Sequence, residues 1–255
     1  SSSSAAAGAP SGGCQGREVL DAILAIERRC LGLDDAFGGD PAVEELTVEC
    51  MLDDETSKYF LCHALSSPIV IAYFNRRFDD LHLEDVRRAL VDPVERVMRD
   101  SDSEYRVHRS SVEGDPLLQE DISYALRAPW PFSDREVLQR RWQLPMSEAG
   151  EGQGLAIVMR SFDDEALLPH RPDRVRAVAH KSAYLLRPDG DSGGPGLRLV
   201  VCQQLDLGGL CPAWAQRFIT RFAVQRGVEW GVMLRDHCLR MREKRDVGSA
   251  AVAAK

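Results

Sequence analysis

Apolar positions along this chain change period several times, and each change marks an element. From Arg17 to Leu33, residues Val19, Leu20, Ile23, Leu24, Ile26 and Leu31 recur at helical steps, predicting an amphipathic helix closed by a Gly-Leu-Asp-Asp turn. Ala42–Leu52 then alternates, with Leu46, Val48, Cys50 and Leu52 on one side and Glu45, Thr47 and Glu49 on the other. That is the period of a half-buried strand. Lys58–Leu65 and Ile69–Phe74 flank Ser-Ser-Pro and predict two more strands. Leu83–Asp100 is helical but interrupted at Asp92-Pro93-Val94-Glu95, where Asp92 can cap, Pro93 suits the first turn and Glu95 can reach back to the cap. Two short helices follow from that break.

From Glu104 onward the period is two. Glu104–Glu113, Leu118–Arg127, Glu136–Leu144, Leu155–Phe162, Val175–Arg187 and Leu197–Leu207 read as strands, separated by turn-rich stretches such as Glu-Gly-Asp-Pro. With no helix between them they should form an antiparallel meander, because parallel pairing needs a long crossover. A Gly-Gly turn and Pro212 then open a helix over 212–245. On it Trp214, Phe218, Phe222, Trp230, Met233, Leu234, His237 and Met241 recur mostly at three- and four-residue steps. So heavy an aromatic load needs a broad apolar partner, either a packed sheet or a cavity. Residues 1–16, SSSSAAAGAPSGGCQG, and residues 247–255 lack this patterning and are expected to be disordered tails around one domain, 17–246.

Composition narrows the function. A hydrophobic fraction of 44% over 255 residues supports a substantial core, and a net charge of −8 argues against a nucleic-acid binder or a polybasic membrane anchor. The longest apolar run, Pro68–Phe74, has strand length and falls far short of the ~20 residues a membrane span requires. The 7 cysteines are scattered without a CxxC pair. They read as small buried or half-buried thiols in a reducing, cytoplasmic setting rather than as a zinc site or disulfide framework.

Catalytic patterns are missing from the sequence. There is no G-x-S-x-G elbow, and the 6 histidines do not fall at metal-ligand spacings. Asp53-Asp54-Glu55 and Asp163-Asp164-Glu165 lack the alternating ligands of a calcium loop and read as solvated turns. Gly190–Gly196 lies between two strand patterns, so it reads as a hairpin loop rather than a dinucleotide fingerprint. No catalytic residue, cofactor or metal is expected.

Two segments carry a resemblance. Ala128–Trp142 (APWPFSDREVLQRRW) joins two strands through a Pro-x-Pro loop, and Leu205–Cys238 (LDLGGLCPAWAQRFITRFAVQRGVEWGVMLRDHC) leads into the long helix. In this order, within helix, strands, two short helices, strands and long helix, they resemble the START (StAR-related lipid transfer) family over residues 17–245. The stretch Val97-Met98-Arg99-Asp100 departs from it, lacking the tryptophan of the family's Trp-Asp. The resemblance implies an α+β helix-grip fold, with a curved antiparallel sheet wrapped around the C-terminal helix and an internal ligand cavity. It implies a lipid or other hydrophobic ligand (sterol, phospholipid or similar), carried or sensed by a monomer with transient membrane contact.

The resemblance also places residues. Arg135 matches the family's turn arginine. Arg141 matches a strand arginine whose acidic partner here is Glu120 or Asp121, a choice that a one-residue slip reverses. Inside a tunnel such a pair would anchor a polar headgroup; on the outer face it would be a surface ion pair. Tyr124, His180 and Tyr184 are further polar candidates, and Trp214, Phe218, Phe222 and Met233 are the helix's contributions. Trp130, Pro131 and Phe132 belong to a loop that either gates the tunnel or folds onto the core. Two other readings stand beside the carrier. One is a cyclase- or aromatase-like enzyme of the wider helix-grip superfamily, using Tyr124, Tyr184 or His180; the other is a lipid-sensing or scaffolding module without transfer activity.

Overall fold

Period-two patterning becomes one sheet, and its two faces are claimed by different helices. The structure is a computed structural model describing residues 12–33, 46–99, 104–111, 118–127, 133–149, 153–189, 195–208 and 213–253, with side chains described except at 12–14, 97–99, 213–224 and 248–253. In chain order the elements are α1 (Gly12–Leu31), β1 (Leu46–Asp53), β2 (Ser57–Ala64), β3 (Ile71–Phe78), α2 (Leu83–Val91), α3 (Pro93–Arg99), β4 (Tyr105–Ser110), β5 (Leu118–Leu126), β6 (Asp134–Pro145), β7 (Leu155–Ser161), β8 (Arg174–Arg176), β9 (Val178–Pro188), β10 (Leu197–Asp206) and α4 (Ala213–Ala253). The sheet has 10 strands in the order β1-β2-β3-β10-β9-β7-β6-β5-β4, with β8 beside β6.

This is the expected α+β architecture, with three differences from the sequence reading. The sheet is not a simple meander, because β10 returns to pair with β3 and so joins the N-terminal hairpin to the later strands. The expected strand Val175–Arg187 divides into β8, which pairs parallel to β6, and β9, which pairs antiparallel with β7 and β10. The end helices are longer than their apolar patterns: α1 begins at Gly12 and α4 continues to Ala253.

Alternation assigns the faces. On the outer face, α1 lays Val19, Leu20, Ile23, Leu24, Ile26 and Cys30 over Trp142, Leu144, Ala156, Val158, Ala183, Leu185, Val200 and Cys202. Gly16 lets α1 approach closely, since a Cβ there would lie 2.9 Å from the Trp142 ring. On the inner face, α2 and α4 cover Ile122, Ile157, Met159, Tyr184, Leu186, Leu197 and Leu199, using Val86, Ala89, Leu90, Leu234 and Cys238.

The helix break forms as its residues dictate. Asp92 Oδ1 accepts from the backbone N–H groups of Val94 (2.8 Å) and Glu95 (3.2 Å), capping α3. Glu95 does not reach back to that cap; its carboxylate meets His237 at 3.1 Å and Arg88 at 3.6 Å instead. Among the described residues, bulges break the alternation three times. At Met51 the phase of β1 changes, which moves Leu52 from the side of Leu46 and Val48 to that of Tyr59; Cys50, still in phase with Leu46 and Val48, is nonetheless exposed. The other two fall at His108 and His180.

Candidate functional site: the inner face of the sheet

The register of β5 against β6 settles which carboxylate faces inward. Glu120 lies opposite Arg141, and Asp121 lies opposite Arg140. Inside, Arg141 is 1% exposed; its Nε donates to Glu120 at 3.0 Å and its Nη2 donates to the same carboxylate. Its Nη1 donates to the Tyr105 hydroxyl (2.7 Å), and its Nη2 also donates to the carbonyl of Val91 (3.2 Å). Val91 ends α2, so this bond answers a helix-terminal carbonyl with no partner within the helix. Most of the donors a guanidinium offers are spent on the protein. Asp121 sits on the opposite face, bound by Arg140 at 2.8 and 3.2 Å, while Arg140 stacks over Phe162. Asp121 is therefore not the inward partner of Arg141.

Two residues along β6, on the Arg141 side, Gln139 is 0% exposed, and neither its Nε2 nor its Oε1 has a hydrogen-bond partner. Gln143 Nε2, on the same side, is also unanswered. Buried amides left this way cost roughly 1–3 kcal/mol per group, so each such group calls for an explanation.

Above this row lie aromatics. The Arg96 guanidinium of α3 stands 4.8 Å from the Tyr105 ring centroid and 5.3 Å from that of Tyr124. Burial pushes the Tyr124 phenol well above its usual range, yet the residue retains accessible surface. Tyr184 stacks on Trp230 of α4, with centroids 6.0 Å apart and planes 19° apart. Farther along, α4 comes close to β2 and β3 through Gly227 and Gly231. A Cβ at Gly231 would lie 2.8 Å from Arg76 Nη1, and one at Gly227 would lie 3.1 Å from the Tyr59 ring.

The remaining candidates disperse. Among the described residues Arg135 meets no carboxylate; its guanidinium donates to the carbonyls of Leu207 (3.1 Å) and Ser133, tying the start of β6 to the end of β10. His180 does not share the side of Ser182 and Tyr184. It is the extra residue of the bulge, between Ala179 (opposite Leu205) and Lys181 (opposite Gln204), and it is exposed. Met233 is 48% exposed and points away from the sheet. Trp130, Pro131 and Phe132, and the side chains of Trp214, Phe218 and Phe222, lie outside the described residues. Sequence reasoning missed Gln139, although its position two before Arg141 puts both on one strand face. It also missed Arg96 and Tyr105, which no local pattern links to β6.

No family model matches the sequence, and no curated protein matches it. Solved structures do. Human StAR-related lipid transfer protein 5 aligns with a TM-score of 0.68 at 16% identity, covering 90% of this chain and 97% of that one. Human STARD10 aligns at 0.66 and 19% identity, covering 89% and 82%. A STAR-related lipid transfer protein fragment from Xanthomonas axonopodis aligns at 0.57 and 18%, covering 75% and 98%. The chain has the fold of START domains. In that fold the sheet and the C-terminal helix enclose the inner face, where Arg141, Glu120, Tyr124, Tyr184 and Gln139 stand together. Among the described residues, no helix is long and apolar enough to cross a membrane, and no cluster of metal-ligating side chains occurs.

Proposed function

We infer that this chain binds a hydrophobic small molecule, a lipid, between the inner face of the sheet and α4, and carries or senses it. One contrast supports this most. On the outer face Val200, Cys202 and Ala183 are 0% exposed, sealed by α1. On the inner face Val201, Gln203, Ala72 and Tyr124 keep accessible surface although α4 and the flanking helices cover that side. Apolar surface held open under a helix gains when an apolar ligand fills it, at roughly 25 cal/mol per Å². The lipid transfer proteins of the same fold support the same reading.

The polar end of such a ligand would bind elsewhere than at Arg141. Arg141 is already engaged by Glu120, Tyr105 and Val91, so its part is to hold β5, β6 and α2 in place. The unanswered amide of Gln139 is the better polar anchor; because it is fully buried, a small side-chain rearrangement must accompany contact. Entry past the Ala128–Asp134 loop, transient membrane contact and a monomeric state belong to the same proposal. No covalent step is required. Mass spectrometry of an organic extract of the purified protein should find a stoichiometric lipid, and vesicle-to-vesicle transfer of that lipid should accelerate on adding protein. A lipid bound without transfer would make the chain a sensor. No bound lipid, and no uptake from vesicles, would overturn the reading.

A further inference from the structure

A second concavity lies away from the inner face. It is a groove of about 390 Å³ between the C-terminal half of α4 and the junction of α2 with α3. Arg88, Arg240, Lys244 and Arg245 line it, with Glu95 and His237. Local carboxylates answer part of this charge: Glu95 lies 3.6 Å from Arg88 and 3.1 Å from His237, and Asp85 lies 3.0 Å from Arg245. Glu84, bound to Arg87, also acts on Arg88 and Arg245, so five cations meet three carboxylates, a surplus of two positive charges in a chain whose net charge is −8. Among the described residues, neither Arg240 nor Lys244 is within ion-pair distance of a carboxylate; Asp236 lies beside Arg235 instead, at 3.8 Å.

At about 100° per residue, His237, Arg240, Met241, Lys244 and Arg245 share the face toward the groove and Asp246 falls opposite. Asp236 and Glu243, at i−4 and i+3 of Arg240, flank that face without coming within ion-pair distance of Arg240, and Lys244 has no acid at i±3 or i±4. Arg240 and Lys244 stand at i, i+4, where like charges destabilise a helix. The helix dipole does not account for them, because it acts within the last turn and α4 runs on to Ala253. A bound anion would account for them.

The geometry points to a binding site for a phosphate monoester, whose dianion matches the surplus charge and whose small polar body matches the groove. The group could arrive on a soluble phosphorylated molecule or on a lipid headgroup, and the test separates the two. Backbone and arginine-side-chain NMR would follow titrations with inorganic phosphate and glycerol 3-phosphate. Flotation would use vesicles of phosphatidylcholine with or without 20% phosphatidic acid. Saturable shifts centred on 237–245 are expected, weakened at least ten-fold in R240A/K244A and within two-fold of wild type in D246K, whose change lies on the opposite face. Recruitment to phosphatidic acid vesicles, competed by glycerol 3-phosphate, would make a lipid headgroup the source; saturation without recruitment would make it a soluble phosphate. No saturable binding of any probe, unchanged affinity in R240A/K244A, or a loss in D246K as large as that in R240A/K244A would overturn the site. Extractable lipid and its transfer rate should be the same in wild type and R240A/K244A, so failure here is distinct from failure of the carrier reading.

Discussion

The two faces of this sheet are built from the same strands and the same alternation, yet they are packed to different ends. Toward α1 the face is closed: Trp142, Val158, Leu185 and Val200 are essentially without exposure, and the buried carboxylate that α1 brings to it is answered. Glu27 of α1 accepts from Arg187 at 2.7 and 2.6 Å and from the Tyr73 hydroxyl at 3.0 Å. Toward α4 the face keeps accessible apolar surface at Val201 and Ala72, and leaves both ends of the Gln139 amide without a partner. A face built for stability fills its volume and satisfies its polar atoms. The inner face does neither completely, which suits a surface completed by something other than the chain.

The sharpest way to break the comparison is to attack the closed face. Trp142→Ala removes a buried ring beneath Gly16 and should lower unfolding free energy by about 4 kcal/mol in urea melts, leaving lipid content per folded molecule unchanged. Next in size, Glu120→Leu strands the Arg141 guanidinium and should cost about 3 kcal/mol, whereas the double change Glu120→Leu with Arg141→Met should recover much of that loss. A double variant no more stable than the single one would mean the pair does more than position β5, β6 and α2.

Adjacent residues of β10 give the direct test. Val200→Ala, on the closed face, should cost about 2 kcal/mol, and Val201→Ala, on the inner face, less than about 1 kcal/mol in protein stripped of lipid. Equal losses at the two positions would show that the inner face is as tightly filled as the outer and would remove the main support for a ligand space. The smallest effect has the opposite sign. Gln139→Leu should raise the stability of lipid-free protein by about 1 kcal/mol, because an unanswered amide is replaced by an apolar side chain. The same variant should weaken retention of any lipid bearing a hydroxyl or amide. Stabilisation with unaltered retention would leave Gln139 without a role in recognition.

The chain's periods were enough to locate most of its elements. Helical spacing gave α1 and α4, alternation gave the strands, and Asp92-Pro93 placed the break between α2 and α3, where Asp92 caps α3. These rest on interactions within a few residues, and one sequence contains all of them. The START resemblance likewise rested on two local segments, and the fold agrees with it.

What the sequence could not decide depends on partners distant in the chain. Whether Glu120 or Asp121 faces Arg141 is a matter of register, and a shift of one residue inverts the side on which every group of the strand lies. The bulges at Met51 and His180 change phase without any local mark, which is why Leu52 joins Tyr59 and His180 ends in solvent. The return of β10 to β3, the short parallel β8 and the meeting of Arg88 with Arg240 and Lys244 all join residues far apart in the chain. Local propensity sets which elements form, because its energies act between near neighbours. Only the packed chain decides which face is sealed, which polar group lacks a partner and where charge accumulates, because those are properties of surfaces that exist once the elements have met.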